Sequence, residues 1–392
     1  MDLEQKIKNL TSELFPYLID VRRYLHQNPE LSFKEFNTSK YLQTQLSNHN
    51  ISFIANIAGT GIVATIEGQN PNSNCILLRA DMDALPIQET NNVTYKSKND
   101  GVMHACGHDV HSTCILGAAI IINKLKNQLK GTVKIIFQPG EEVLPGGAKL
   151  MIDEGILENP KVDKAIALHV FPNLEVGKVG FKEGMYMAST DELYLTINGK
   201  GGHAAMPSEY INPLIIASEI LLKINEEFMV NPKNNIPTVV AFGKIKGDGA
   251  TNVIPDSVII DGTFRTMDEN WRQQAHLKLQ EIVNEFSKKY NIQSEIKIVK
   301  GYPYLVNESA LTQTCRSKAI SILGKDNVIE LPLRMTAEDF AYITQKVPSC
   351  FFRLGTGNKN KKITASVHTS NFDVDENSLK VGVELLSNLV FI

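Results

Sequence analysis

Apolar residues recur at helical spacing near the start of the chain, at Leu10, Leu14, Leu18, Val21 and Leu25. Residues three and four apart share one face of a helix, so the pattern predicts helices over residues 2–28 and 34–48. Three short β-rich runs follow at 51–55, 61–67 and 75–80. Residues 108–127 predict a helix that starts with Asp109 and carries Ile115, Ala119, Ile122 and Leu125 on one stripe. Residues 132–137 read as an apolar strand of the kind found in a sheet covered on both faces. A helix over 146–154 and a second buried strand over 164–169 follow. Strands and helices mixed in this way indicate an α/β sandwich.

The middle of the chain is patterned differently. Residues 192–197 alternate apolar and polar, as a half-buried strand does. A helix at 212–228, strands at 238–245 and 258–266, a helix at 273–289 and a strand at 293–299 come next. The order β-α-β-β-α-β is that of a ferredoxin-like domain. Helical and strand patterns then resume from residue 307 to the end. The economical organisation is a discontinuous catalytic domain, 1–186 with 298–392, interrupted by an inserted α+β domain, 187–297. Two domains also suit a chain of 392 residues, more than one ordinary core holds.

Composition narrows the class. Charged residues make up 21% and hydrophobic residues 43%, which is globular rather than disordered. The net charge is −3, with Lys and Arg spread along the chain, so there is no nucleic-acid footprint. The first residues are polar, unlike a signal peptide, and no apolar run is long enough to span a bilayer. Cys75, Cys106, Cys114, Cys315 and Cys350 are scattered and odd in number. They predict reduced thiols in the cytoplasm rather than a disulfide framework.

The chemistry concentrates where strands end. The chain reads Met103-His104-Ala105-Cys106-Gly107-His108-Asp109, then Gln138-Pro139-Gly140-Glu141-Glu142. Asp81 and Asp83 follow the strand at 75–80, and His169 ends the strand at 164–169. Open α/β sheets place their sites at such carboxyl ends. Thiol, imidazole and carboxylate groups hold zinc-like divalent ions, and His368 adds a further candidate ligand. Water held by two metals becomes a nucleophile near neutral pH, and a carboxylate is needed to carry its proton. One of Glu141 and Glu142 can bind metal while the other faces the water; the residues alone leave open which. His104 and His111 are not assigned as ligands. Glu338-Asp339 either orient ligands from behind or begin a helix. In the inserted domain, Gly199 to Pro207 read as a loop or as the setting of a mobile His203, and Asn252 and Arg265 as structural residues or carboxylate-binding groups.

These motifs resemble the aminoacylase/carboxypeptidase-type dinuclear metallopeptidase superfamily. Within it the chain is most similar to the amidohydrolase branch of hippurate hydrolases, auxin-conjugate hydrolases and N-acetyldiaminopimelate deacetylases. The resemblance covers nearly the whole chain. It rests on Arg22-Arg23-Tyr24-Leu25-His26-Gln27-Asn28-Pro29-Glu30-Leu31, Arg79-Ala80-Asp81-Met82-Asp83-Ala84-Leu85-Pro86, the Cys106 and Glu141 segments, Gly201-Gly202-His203-Ala204 and His368-Thr369-Ser370-Asn371-Phe372. It implies that Cys106 bridges two metals, a place taken by Asp in other branches. His108 and His169 would complete one site, Glu142 and His368 the other. Glu141 would be the general acid/base, and Asp83 would match the Asp that follows a metal-binding His in other branches. Asp81 stands where that His would be. Ser370-Asn371 depart from the Pro often found there, which predicts a different loop with His368 still able to ligate. The resemblance further implies a lid domain that mediates homodimerisation and carries His203, Asn252 and Arg265.

The resulting expectation is a mixed α/β/α catalytic sandwich with an inserted ferredoxin-like lid. It would be a metal-dependent amidohydrolase acting on N-acyl amino acids with two divalent ions, Mn, Zn, Co or Ni. Metal charge and His203 would stabilise the oxyanion, and Asn252 and Arg265 would hold the substrate carboxylate. A dipeptidase or aminopeptidase specificity, a non-catalytic metal protein and a Cys106-nucleophile hydrolase are the alternatives. No nucleic-acid or membrane partner is expected.

Overall fold

The computed structural model describes residues 2–230, 232 and 234–392. By contact the chain divides into two compact units. Met1–Gly184, Val306–Pro332 and Asp339–Ile392 form the first, and Met185–Leu305 with Leu333–Glu338 the second.

The first unit begins with α1 (Leu3–Gln27), whose Asp2 cap accepts the Gln5 N–H at 2.8 Å. Leu18, Val21 and Leu25 of its predicted stripe are buried, and Leu10 and Leu14 pack beside them. Then come α2 (Phe36–Asn48), β1 (Phe53–Ile57), β2 (Gly61–Glu67), β3 (Cys75–Asp81) and α3 (His108–Lys124). They are followed by β4 (Thr132–Gln138), α4 (Gly147–Asp153), β5 (Lys164–Glu175) and β6 (Val179–Phe181). The sheet has eight strands in the order β1, β2, β4, β3, β5, Ser349–Gly357, β6, Val328–Glu330. It is mixed: β3 runs parallel to β4 and β5, while β2 is antiparallel to β1 and β4. β3, β4 and Ser349–Gly357 are buried along their whole length, as strands of a doubly covered sheet are. α1, α3 and Ser378–Leu389 pack on one another, and α3 also lies against β3.

Two predicted strands differ in instructive ways. Lys134 interrupts the supposedly apolar β4, yet it is only 2% exposed. Its Nζ donates to the carbonyls of Ile156, Glu158 and Pro160 at 2.9, 2.6 and 2.9 Å, so the buried ammonium is satisfied by backbone. Burial lowers its pKa. β5 runs on to Glu175, so His169 lies within the strand and not at its end. What does end nearby is the pairing with β3, whose last partners are Arg79 and Ala167.

The second unit has an antiparallel four-stranded sheet in the order Thr238–Lys246, Ser257–Thr266, Asp191–Asn198, Gln293–Lys300. Helices Pro213–Asn225 and Glu269–Tyr290 supply the rest of the β-α-β-β-α-β order and are capped by Asn212 and Asp268. Burial alternates along Asp191–Asn198, putting Leu193, Leu195 and Ile197 into a core with Ile216, Ile220, Leu279 and Ile282. No helix among the described residues is long and apolar enough to cross a membrane.

Candidate metal centre

α3 cannot be entered without a glycine. Gly107 sits at φ +85°, and a Cβ there would come within 2.5 Å of the Val170 side chain. That turn brings Cys106 and His108 to the same place from either side of the helix start. Gly140, at φ +56°, turns the chain after β4, and the Phe33 ring covers its face, where a Cβ would meet it at 2.4 Å. Glu141 and Glu142 follow at once. His368 arrives on a loop at φ +62°, with its N–H donating to Ala105 O at 2.8 Å. Ser370 O accepts the Thr90 N–H at 2.8 Å, which anchors the loop that departs from the related pattern.

The donors converge. Cys106 Sγ lies 3.4 Å from His169 Nε2 and 3.3 Å from His368 Nε2. Glu142 Oε1 lies 3.3 Å from His368 Nε2 and 3.8 Å from His108 Nε2. Of the groups of three donors that could hold a metal ion, two contain the thiol: Cys106, His108 and His169, and Cys106, Glu142 and His368. The thiol is common to both. Glu141, 7% exposed, offers an oxygen close to His108 and Glu142.

Hydrogen bonds set the imidazoles. His108 Nδ1 faces the backbone oxygen of Asp83 at 2.8 Å and its carboxylate at 3.1 Å, both acceptors, so it carries the proton. Nε2 is left buried with no hydrogen-bond partner. His169 Nδ1 donates to Val170 O at 2.8 Å, which turns its Nε2 towards Cys106. A carbonyl or carboxylate behind the distal nitrogen is the usual arrangement for a metal-binding imidazole. Asp83 is buried; its other oxygen accepts from Ser32 Oγ at 2.7 Å and from the Glu142 N–H at 3.0 Å. It therefore positions both His108 and Glu142.

Acidic groups, imidazoles and a thiol crowd together here and shift one another's pKa values. Burial raises the Cys106 thiol pKa, and the Glu142 carboxylate adds to the rise. Burial alone would lower His108, but the Asp81 and Cys106 charges outweigh it and hold that imidazole well above its ordinary range. Contacts with Cys106 and Glu142 push His368 up to about 10. Burial, then Arg353, hold His169 well below the usual range, so it is a neutral donor. A divalent cation would ionise the thiol and use the orphaned His108 nitrogen.

Asp81 is not free to join. Its oxygens are held by Arg79 Nη1 and His111 Nδ1, each at 2.6 Å. His111 Nε2 accepts the Val170 N–H at 2.9 Å, so both nitrogens of that ring are used. His104 is buried, burial lowers its pKa to about 4, and neither of its ring nitrogens has a hydrogen-bond partner. It belongs to neither donor group. Ser32, and Arg22 and His26 of the first motif, have structural roles that the motifs alone do not display. Arg22 Nε and His26 Nδ1 meet Asp109 Oδ2 at 2.9 and 2.7 Å, tying α1 to the residue after His108. Arg22 and His26 stand in the first motif, which is the signal that points to them; Ser32 lies just beyond it.

In the second unit, His203 and Val253 are paired, and the Ala204 N–H donates to Asn252 O at 3.0 Å, so His203 and Asn252 are neighbours. Both are exposed. Arg265 stands on Ser257–Thr266, half-buried, its Nη1 donating to Met335 O at 3.1 Å.

The profile of peptidase family M20/M25/M40 matches residues 77–391. Thermostable carboxypeptidase 2 of Saccharolobus solfataricus is 37% identical over 97% of this chain and 96% of that protein. IAA-amino acid hydrolase ILR1-like 5 of Arabidopsis thaliana is 36% identical over 99% of this chain and 90% of its own length. Among solved structures, the Bacillus subtilis YXEP protein, described as a dinuclear metal binding peptidase of the M20 family, superposes with a TM-score of 0.84. It is 33% identical, covering 97% of this chain and 98% of that one. With the donor groups already in place, the chain belongs to peptidase family M20/M25/M40 and is a metal-dependent hydrolase.

Proposed function

We propose that this protein hydrolyses the amide bond of N-acyl amino acids at two divalent metal ions. Cys106, His108 and His169 would hold one ion, and Cys106, Glu142 and His368 the other. The observation that carries the reading is the Cys106 thiol standing between His169 and His368, within 3.4 Å of each. The donor set fits: a thiolate, imidazole nitrogens and a carboxylate suit Mn, Zn, Co or Ni and argue against Mg alone. Bound there, such ions supply Lewis acidity towards the amide carbonyl and lower the pKa of a coordinated water.

The chain's own residues do the rest. Glu141 takes the proton of the attacking water and delivers it to the departing amine. Asp83 acts through His108 and Glu142 and is a positioning residue. His203 stabilises the developing oxyanion, and Asn252 and Arg265 take the substrate carboxylate, for which a guanidinium fork is suited. The second unit serves as a lid and as the contact between two copies. Exposed Ile215 and Leu222 on Pro213–Asn225 support a covered face there. Five free thiols support a reducing cytoplasmic setting.

Similarity to an IAA-amino acid hydrolase supports an acylated amino acid as substrate. Similarity to a carboxypeptidase favours a second reading, a peptidase acting on short peptides. The test is metal-stripped protein offered N-acetyl, N-benzoyl and indole-acyl amino acids and dipeptides, with Mn, Zn, Co or Ni restored. Metal-dependent release from the acyl amino acids is expected. Release from the dipeptides alone selects the second reading, and activity without metal overturns both. If His203 is supplied across a dimer, turnover follows the dimer fraction in size-resolved assays; full turnover by monomers removes that part of the proposal.

A further inference from the structure

β5 outruns its neighbour. Its pairing with β3 ends at Ala167, and β3 itself stops at Asp81. Beyond that point a side chain takes over: the Val170 N–H donates to His111 Nε2 at 2.9 Å. An imidazole nitrogen that accepts an N–H carries no proton, so the ring proton sits on Nδ1, which donates to Asp81 Oδ1 at 2.6 Å. Asp81 Oδ2 accepts from Arg79 Nη1 at 2.6 Å, and Arg79 Nη2 donates to Asp339 Oδ1 at 2.6 Å. Gln138 bridges Arg79 and Asp339, and Asp339 Oδ2 also accepts the Ala148 N–H at 3.0 Å. Each of these side chains is at most 1% exposed.

The other end of the chain of bonds reaches the donor group. Val170 O accepts the His169 Nδ1 proton at 2.8 Å. Residue 170 is thus held at its N–H by His111 and holds His169 by its carbonyl. The two rings also touch, their centroids 4.6 Å apart and tilted by 57°.

We propose that His111 is a positioning residue for the ion held by Cys106, His108 and His169, acting as a splint where β3 leaves β5. Asp81, fixed by Arg79 and Asp339, keeps His111 in the one tautomer that can accept the Val170 N–H. The proposal rests on His169 being a ligand, as in the function proposed above.

The test compares His111→Leu with His111→Gln, whose amide again offers an acceptor beside a donor. Zn and Co binding is measured by equilibrium dialysis against a chelator. The wild type is expected to hold two ions and His111→Leu to lose affinity for one by about 10–100-fold. His111→Gln should regain much of it. In a His169→Ala background, His111→Leu should change nothing further; in a His368→Ala background it should weaken the remaining ion by the same factor of about 10–100. Hydrogen exchange of the metal-free protein should show faster exchange at the Val170 amide and an unchanged amide at Ile166. Two ions held with unchanged affinity in His111→Leu would overturn this proposal alone. Equal weakening of both sites without rescue by Gln would also overturn it, as general loss of packing. A wild type that takes up no metal would overturn the functional reading and this one with it.

Discussion

Glu141→Gln should keep both metal ions and lose turnover by about 10²–10⁴-fold, which is what a general acid/base contributes. That corresponds to roughly 3–5 kcal/mol of barrier. The substitution preserves shape and removes the ability to accept and return a proton. Glu141 is buried beside His108 and Glu142, one of its oxygens within 4.8 Å of a donor atom of each. The two carboxylates are neighbours in sequence but differ in setting. Glu142 is pinned through its backbone N–H by Asp83 and lies 3.3 Å from His368. The assignment of metal to Glu142 and proton to Glu141 therefore predicts opposite phenotypes. Glu141→Gln should lower kcat with metal content intact, whereas Glu142→Gln should lower metal content first. Paired metal analysis and kinetics decide it. Near-normal turnover would displace Glu141 from the proton-carrying role, and lost metal would move it among the ligands.

How much of this was legible follows from the range of each signal. The β-α-β-β-α-β order of the second unit was readable because alternation and helical stripes are local; observed strands such as Ser257–Thr266 and Gln293–Lys300 lie within a residue or so of the predicted ones. Cys106 and His108 were legible as a pair because they flank one glycine. The surrounding hydrogen bonds were not. Arg79 and Asp339 are 260 positions apart, and Arg22 and Asp109 are 87. No periodicity connects such residues; only the folded chain does. The sequence reading ends the strand at His169 although Val170 and Phe171 continue the apolar run. The real boundary is where β3 leaves β5, and a sequence does not display the end of a partner strand. Lys134 is plain in the sequence, but what satisfies it is not: its three carbonyl partners lie in the segment after α4, and they make a charge acceptable inside an apolar strand.

Cys106→Ala should cost more than loss of any other single donor, because its sulfur alone belongs to both groups. Each group would be left with two donors, His108 and His169 in one and Glu142 and His368 in the other. The expected result is a fall from two ions per chain to less than one, with hydrolysis lost in proportion. The same substitution would also abolish activity if Cys106 were a nucleophile, so activity alone cannot separate the readings. Metal content can. A nucleophilic cysteine paired with His169 or His368 would be lost without disturbing metal binding. Its thiol would also need to be activated at rest, whereas burial and the Glu142 carboxylate push the Cys106 pKa upward. Such a thiol becomes a thiolate when a cation sits against it. Cys106→Asp sharpens the contrast, since a carboxylate is also a ligand for such ions. That variant should hold two ions and recover part of the activity if Cys106 is a ligand. It should hold metal but remain inactive if Cys106 attacks the substrate. Metal analysis of the three proteins beside their turnover, with the wild type stripped and reloaded as reference, separates ligand from nucleophile.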